Sequence, residues 1–478
     1  MPTIVSVGID IGTSTTQVIF SRITMDNTAG YFTAPRISIV GKEVFYRSEV
    51  RFTPLKTAVL IDGDAVRGIV EEEFRRAGMK PENVDTGAVI ITGESARKEN
   101  AAEVLEKLSG FAGEFVVSTA GPDLESIIAG KGSGAYQYSI ENDCAVANLD
   151  VGGGTTNIVW FRGGDTVGKC CCDVGGRLVR LKKDGTVESV SEAAKRVADE
   201  QGLSLRVGER ADEQTLARLT ARMAELLSEA LGLVPETPLL RAVQTPNSSP
   251  PPACGKVSRV CFSGGVADCM EASRAGTADF LRFGDIGMYL GRALRENAAL
   301  SALRRVTASE TIRATVVGAG TYTTSLSGST ISYSPGVFPL KNVPALKLSY
   351  QEQQAFLDAG PDALYERCRW FLAQNDAERM LLALPGKLDP TYQEVKRMAK
   401  CIVGAMDRSL PAGEPVVTVV EQDIAKALGN AMKQETNGRR AVAAIDSIRV
   451  EAGDFVDIGR PLMDGLVVPV VVKTLLFG

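Results

Sequence analysis

The sequence predicts a duplicated α/β fold, in which two units built on mixed β-sheets close over a shared cleft. Three observations carry this expectation. A strand ending in aspartate, a Gly- and Thr-rich turn and an apolar return strand occur twice, led by Asp10 and by Asp150. Around these hairpins, short apolar runs alternate with stretches of helical period, the pattern of sheets covered by helices. The 478 residues include no histidine. That removes imidazole bases and ligands and leaves carboxylates, backbone amides, Lys/Arg and a metal ion, the means by which phosphoryl groups are handled.

In chain order, Ile4, Val5, Val7, Ile9 and Ile11 form an apolar strand that closes on Asp10-Ile11-Gly12. Thr13-Ser14-Thr15-Thr16 turns the chain, and 17–21 returns it. Val66, Ile69, Val70 and Phe74 share one face of a helix stopped by Gly78. A buried strand is expected over 87–92, a helix over 101–108, a strand over 115–117 and a short helix over 123–130 after Pro122. At 147–161 the opening pattern recurs, which reads as an internal repeat spaced by about 140 residues. Helices are expected over 191–202, 215–231 and 287–303, an exposed Pro-rich loop over 245–252, and a strand over 257–263 running into Gly264-Gly265. The Gly/Thr/Ser-rich stretch 318–329 is open between a nucleotide-facing loop, a contact with a partner protein and a plain turn. Further helices are expected near 351–382, 393–408 and 422–433, and strands over 416–420, 441–445 and 466–472. The division this suggests is 1–145, 146–307 and a C-terminal region, 308–478, packing on the two halves.

Composition excludes several partners. A net charge of −5 offers no field for nucleic acid or anionic lipid. No run of 18 apolar residues suggests a membrane span, and the N-terminal stretch reads as a strand, so the expectation is a cytoplasmic protein. Nine cysteines, an odd number without the spacing of a small secreted scaffold, predict no disulfide framework. Adjacent Cys170, Cys171 and Cys172 would alternate between the faces of a strand, so they read as packing rather than a metal site.

The two hairpins carry the chemistry. Glycines let backbone approach a phosphate, successive N–H groups form an anion nest, and Thr or Ser hydroxyls add donors. Gly12, Thr13, Ser14 and Thr15 would hold one side of a polyphosphate, and Gly152, Gly153, Gly154 and Thr155 the other. Asp10 and Asp150 would organise Mg2+ between them through water, because Mg2+ dehydrates reluctantly. One such hairpin is a weak signal. Two, each led by aspartate, are a specific pair.

With these motifs in place, the sequence resembles the sugar kinase/Hsp70/actin superfamily, whose fold is a duplicated ribonuclease-H-like ATPase. Val7–Phe20 and Leu149–Phe161 resemble its two phosphate hairpins, and Ala120–Gly130 its first connecting helix. Cys172–Leu178 resembles the Gly-Gly turn, Val260–Gly265 the adenosine motif and Gly284–Gly291 the second connecting helix. The resemblance implies ATP and Mg2+ as ligands, Gly264 and Gly265 behind the adenine, and a carboxylate near Asp123 or Glu125 that orients the attacking water. Both acids are equally explained as favourable charges at a helix start. Lys98 reads as an exposed lysine within reach of a phosphate.

Within the superfamily, Ile91–Asn100, Ala120–Gly134 and Val317–Thr330 resemble the reactivating factors of ethanolamine ammonia-lyase. That implies a slow ATPase acting as a chaperone. Its partner would be the lyase, through either subunit, and the ATP-driven step would release damaged cobalamin so that intact coenzyme enters. Association with a bacterial microcompartment and a homodimeric state are left open. The alternatives are a sugar or carboxylate kinase of the same fold, a diol or glycerol dehydratase reactivase, and a filament former.

Overall fold

The structure, a computed structural model, describes residues 2–12, 15–28, 37–57, 60–92, 95, 98–108, 111, 117–119, 122–245, 257–275, 278–322, 325–327 and 330–474. The first sheet contains β1 (Thr3–Ile11), β2 (Thr15–Asn27), β3 (Ile37–Arg47), β4 (Thr86–Ile91) and β5 (Val117–Thr119), in the order β3-β2-β1-β4-β5. β1 runs antiparallel to β2 and parallel to β4. The short strand Arg51–Phe52 pairs with β2 beside the hairpin turn. The second sheet contains β6 (Ala145–Val151), β7 (Thr156–Arg162), β8 (Asp165–Cys172), β9 (Arg259–Ser263) and β10 (Arg304–Val306). Its order, β8-β7-β6-β9-β10, repeats the first, with β6 antiparallel to β7 and parallel to β9. The fold is therefore the duplicated ribonuclease-H-like α/β architecture, and the repeat in sequence is a repeat in topology.

The apolar runs explain the layers. Val7, Ile9, Ile11, Val89 and Ile91 pack against Val66, Val70 and Phe74 of α1 (Gly63–Arg76) and against Val104, Leu105 and Leu108 of α2 (Ala101–Leu108). Parallel strands covered on their faces need continuous apolar sequence, and β4 is buried at all six positions. In β8, Cys170 and Cys172 share a face with sulfurs 3.9 Å apart, while Cys171 points away. All three thiols are buried, and burial pushes Cys171 above the usual range.

Four further helices place the site. They are α3 (Pro122–Gly132), α4 (Gly265–Ala272), α5 (Gly287–Glu296) and α6 (Ala314–Tyr322). Two expectations are corrected. The resemblance places the second connecting helix at Gly284–Gly291, but α5 packs on α4 within the second unit. A Cβ on Gly291 would lie 2.7 Å from the Cys269 carbonyl carbon. The helix that crosses α3 is α6, although the Gly-rich stretch from Gly318 reads in the sequence as a loop or turn. Its glycines serve that crossing. A Cβ on Gly132 would fall 1.8 Å from the Ala314 oxygen, and one on Gly318 would fall 2.0 Å from the Ile128 oxygen. On its other side α6 meets β1, where a Cβ on Gly8 would sit 2.5 Å from the Val316 oxygen and Ser6 Oγ donates to the Gly320 carbonyl at 2.5 Å. Residues beyond the expected boundary at 307 thus pack directly on the first sheet. The helix expected over 287–303 breaks at Asn297, whose side chain caps Ala298–Ser301.

The C-terminal region forms an eight-stranded sheet. Its centre is parallel: β11 (Leu340–Lys347), β12 (Leu381–Leu384), β13 (Val416–Val420) and β14 (Val442–Asp446). α7 (Tyr392–Ser409) and α8 (Ala425–Thr436) connect β12 to β13 and β13 to β14. The single helix expected near 351–382 is two helices and a strand. It divides at Gly360, whose φ of +90° suits glycine, and at Pro361, the first helical residue that follows. This sheet packs on the first unit, where Val467 joins Ile4, Ile23 and Met25, and Val471 joins Ala88, Ile90 and Ile128. The expected Pro-rich loop falls outside the described residues apart from Thr245.

Candidate nucleotide site

Both hairpins close in the same way. The Gly12 N–H donates to the Thr15 carbonyl at 2.8 Å, and the Gly152 N–H donates to the Thr155 carbonyl at 2.9 Å. Thr13 and Ser14, at the tip of the first turn, lie outside the described residues. In the second turn, carbonyls are tied back by the Gly-Gly-Arg turn. Gly176 N–H donates to the Gly152 oxygen at 3.0 Å and Arg177 N–H to the Gly153 oxygen at 2.7 Å. Among the described residues, the N–H groups of Gly153 and Gly154 take no part in these backbone bonds, the condition for an anion nest.

Each aspartate sits at the end of a central strand with a hydroxyl partner. Asp10 accepts from Thr92 Oγ1 at 2.9 Å. Asp150 accepts from Ser263 Oγ at 2.7 Å and from Thr315 Oγ1 at 3.4 Å. Burial pushes Asp10 up to about 7, the Thr92 hydrogen bond pulls it down, and the charge of Asp150 raises it further. Burial likewise pushes Asp150 up to about 6 against its two hydroxyl bonds. The charge of Asp150 is thus felt at Asp10. Arg177, next to the second hairpin, lies 5.4 Å over the ring of Phe52, which pairs with Thr15 in the first, so side chains bridge the two turns.

Gly264 sits where β9 turns into α4. Its φ is +82°, and a Cβ there would fall 2.4 Å from the Val151 oxygen, so no other residue fits without moving β6. Gly265 opens α4, and a Cβ added to it would meet no atom closer than 3.7 Å. Glu125 is buried in α3, and its charge is among those that raise Cys171, the register partner of Asn157. Asp123 belongs to α3, but its side chain lies outside the described residues. Lys98 is half-buried rather than exposed.

Two residues of the site escape a reading of the sequence. Gln17 pairs with Asp10 in register, and Asn157 pairs with Asp150. Both are buried, and each carries a side-chain oxygen without a hydrogen-bond partner, Gln17 Oε1 and Asn157 Oδ1. Buried polar atoms are nearly always paired, so a matched pair of orphans beside the two carboxylates fits a site that takes a hydrated cation. A signal for them exists, since each amide lies seven residues after its aspartate.

The raised acids predict a pH effect on the metal-free protein. Their folded values, about 7 and about 6, exceed the ordinary 3.8. The folded state therefore binds more protons than the unfolded state across that window, and stability falls as pH rises through it. Melting temperature should drop between about pH 4 and about pH 7. Asp10→Asn should flatten the drop and exceed wild type at the upper end, by an amount on the order of a few kcal/mol. Identical melting curves for the two proteins across that range would refute the assignment.

No helix among the described residues is long and apolar enough to cross a membrane. Among solved structures, an Aquifex aeolicus PPX-GPPA enzyme is similar at 15% identity and a TM-score of 0.40, covering 66% of this chain and 99% of that one. Curated relatives match far more closely. The ethanolamine ammonia-lyase reactivase EutA of Escherichia coli K12 is 38% identical over 99% of this chain and 98% of its own. The protein of the same description from Salmonella typhimurium LT2 is 37% identical over the same shares. The family model for ethanolamine utilisation protein EutA matches residues 2–478, from the first hairpin through the C-terminal sheet, and on that full-length match the chain belongs to the EutA family.

Proposed function

We infer that this protein is an ATP-dependent reactivating chaperone for adenosylcobalamin-dependent ethanolamine ammonia-lyase, promoting exchange of damaged cobalamin for intact coenzyme. The observation that carries the reading is the kinship over 99% of the chain with two proteins described as reactivases of that lyase. The kinase, filament and dehydratase readings find no support among those relatives.

The site supports the ATP-driven part of the reading. Asp10 and Asp150 would hold Mg2+ through its water shell. Gly12–Thr15 and Gly152–Thr155 would receive the phosphates, and Gly264-Gly265 would back the adenine. Bound Mg2+ would neutralise charge between the carboxylates and the phosphates. Gln17 and Asn157 offer free acceptor oxygens to the metal's waters. Of the two acids on α3, Glu125 is the better supported as the group orienting the attacking water, because it is buried toward the second sheet.

The coupling route is physical. Thr315 on α6 bonds Asp150, while α6 also packs on β1 and α3. A change in charge at Asp150 therefore bears on the helix that joins the two sheets. Work on the client requires that the client bind the open and closed states with different affinity. The test is incubation of hydroxocobalamin-blocked ethanolamine ammonia-lyase with the protein, ATP, Mg2+ and fresh adenosylcobalamin, following ammonia production. Recovery that requires all four supports the reading. No recovery rejects the client assignment.

A further inference from the structure

The C-terminal sheet has its own unassigned site. Open α/β sheets bind ligands in the crevice beyond the carboxyl ends of their parallel strands. At that edge, a cavity of about 570 Å³ is walled by Thr330, Lys387, Asp389, Gln422, Asp423 and Lys426. β14 ends here in Asp446, which is fully buried. Asp446 Oδ2 and Asp423 Oδ1 both accept from the one hydroxyl of Thr330. A hydroxyl has a single proton and satisfies a single carboxylate at a time. The remaining oxygen of Asp446, Oδ1, is buried with no hydrogen-bond partner.

Local cations do not resolve this arrangement. Lys387 is ion-paired with Glu394, and among the described residues no lysine or arginine forms an ion pair with Asp423 or Asp446. Asp446 is buried although Asp423 is exposed, and a buried carboxylate that shares its one hydroxyl donor with a second carboxylate and has no countercharge is costly. We propose that Asp423, Asp446 and the Thr330 oxygen bind a hard divalent cation, Mg2+ or Mn2+, at the floor of this cavity. Mg2+ is commonly held by one or two carboxylates while keeping several waters, and here those waters would face the cavity. The site is separate from the nucleotide cleft and does not depend on the function proposed above.

The test uses full-length protein stripped of nucleotide and metal and titrated with Mn2+, with free ion followed by electron paramagnetic resonance. A Mn2+ that binds without nucleotide and persists in the Asp10→Asn/Asp150→Asn double variant is the expected result. Its affinity should fall by more than about tenfold in Asp446→Asn. Asp423→Asn, a change at an exposed side chain with little risk to folding, should weaken it similarly. In the Asp10→Asn/Asp150→Asn background, Mn2+ should raise the melting temperature, and adding Asp446→Asn should remove that rise. The proposal is overturned if nucleotide-free wild type binds no Mn2+, or if Asp423→Asn binds it as tightly as wild type. A purely structural pair would instead show Asp446→Asn melting higher in the double-variant background, with no response to metal in either protein.

Discussion

Asp10→Ala and Asp150→Ala should each lower ATP-dependent reactivation by at least about a hundredfold, the scale on which preorganised electrostatic groups act. The two aspartates end the central strands of matching sheets, and each is fixed by hydroxyls rather than by a lysine or arginine. Among the described residues no lysine or arginine forms an ion pair with either, which leaves their charge for a cation. Loss of either carboxylate leaves one acid to organise the metal and removes half of its anchoring. Asp10→Asn separates charge from shape, because the amide oxygen still accepts from Thr92. It should be as inactive as the alanine variant while melting no lower than wild type. Reactivation is read as ammonia production and nucleotide binding by calorimetry. Wild-type rates in both alanine variants would overturn the metal-pair assignment. Inactivity accompanied by unfolding in the asparagine variant would point to a structural role instead.

Gly132→Val should abolish folding or cost more than the roughly 1–3 kcal/mol typical of overpacking. The reason is geometric. The new Cβ would stand 1.8 Å from the Ala314 carbonyl oxygen, a backbone atom that cannot rotate away. Gly318→Val meets the reciprocal obstacle, the Ile128 oxygen at 2.0 Å, so both should fail in the same way. Gly68→Ala is the control. Gly68 lies within α1 with nothing inside 4 Å of a Cβ, and alanine there should stabilise by about 0.5–1 kcal/mol. Urea melts distinguish the outcomes. A Gly132→Val protein as stable as wild type would mean that α3 and α6 do not cross at these glycines.

The hairpins are legible in the sequence because their signal is local. Aspartate, glycine and threonine fall within a few residues of one another, and the same order occurs twice. The crossing helix is not legible, for the opposite reason. Gly318 and Gly320 lower helix propensity, so the stretch reads as a loop. Only the neighbouring chain explains the glycines, since their purpose is to let another backbone in. Gln17 and Asn157 share a spacing of seven residues from their aspartates, but that spacing acquires meaning only through the strand register that sets each amide beside its aspartate. The break at Gly360-Pro361 does have a local signal. It is outweighed by the apparent helical period on both sides, which runs through Phe356, Leu364 and Phe371.

α6 also has a consequence for biosynthesis. The strands of the first sheet are all translated by residue 119, but the helix that lies across β1 ends at Tyr322. A nascent chain emerging at roughly 5–20 residues per second must expose that sheet for many seconds before its cover leaves the ribosome. Translation halted before residue 314 would leave the backbone channel beside Gly8 vacant, and a gene cut there would yield an N-terminal product lacking part of its own lining.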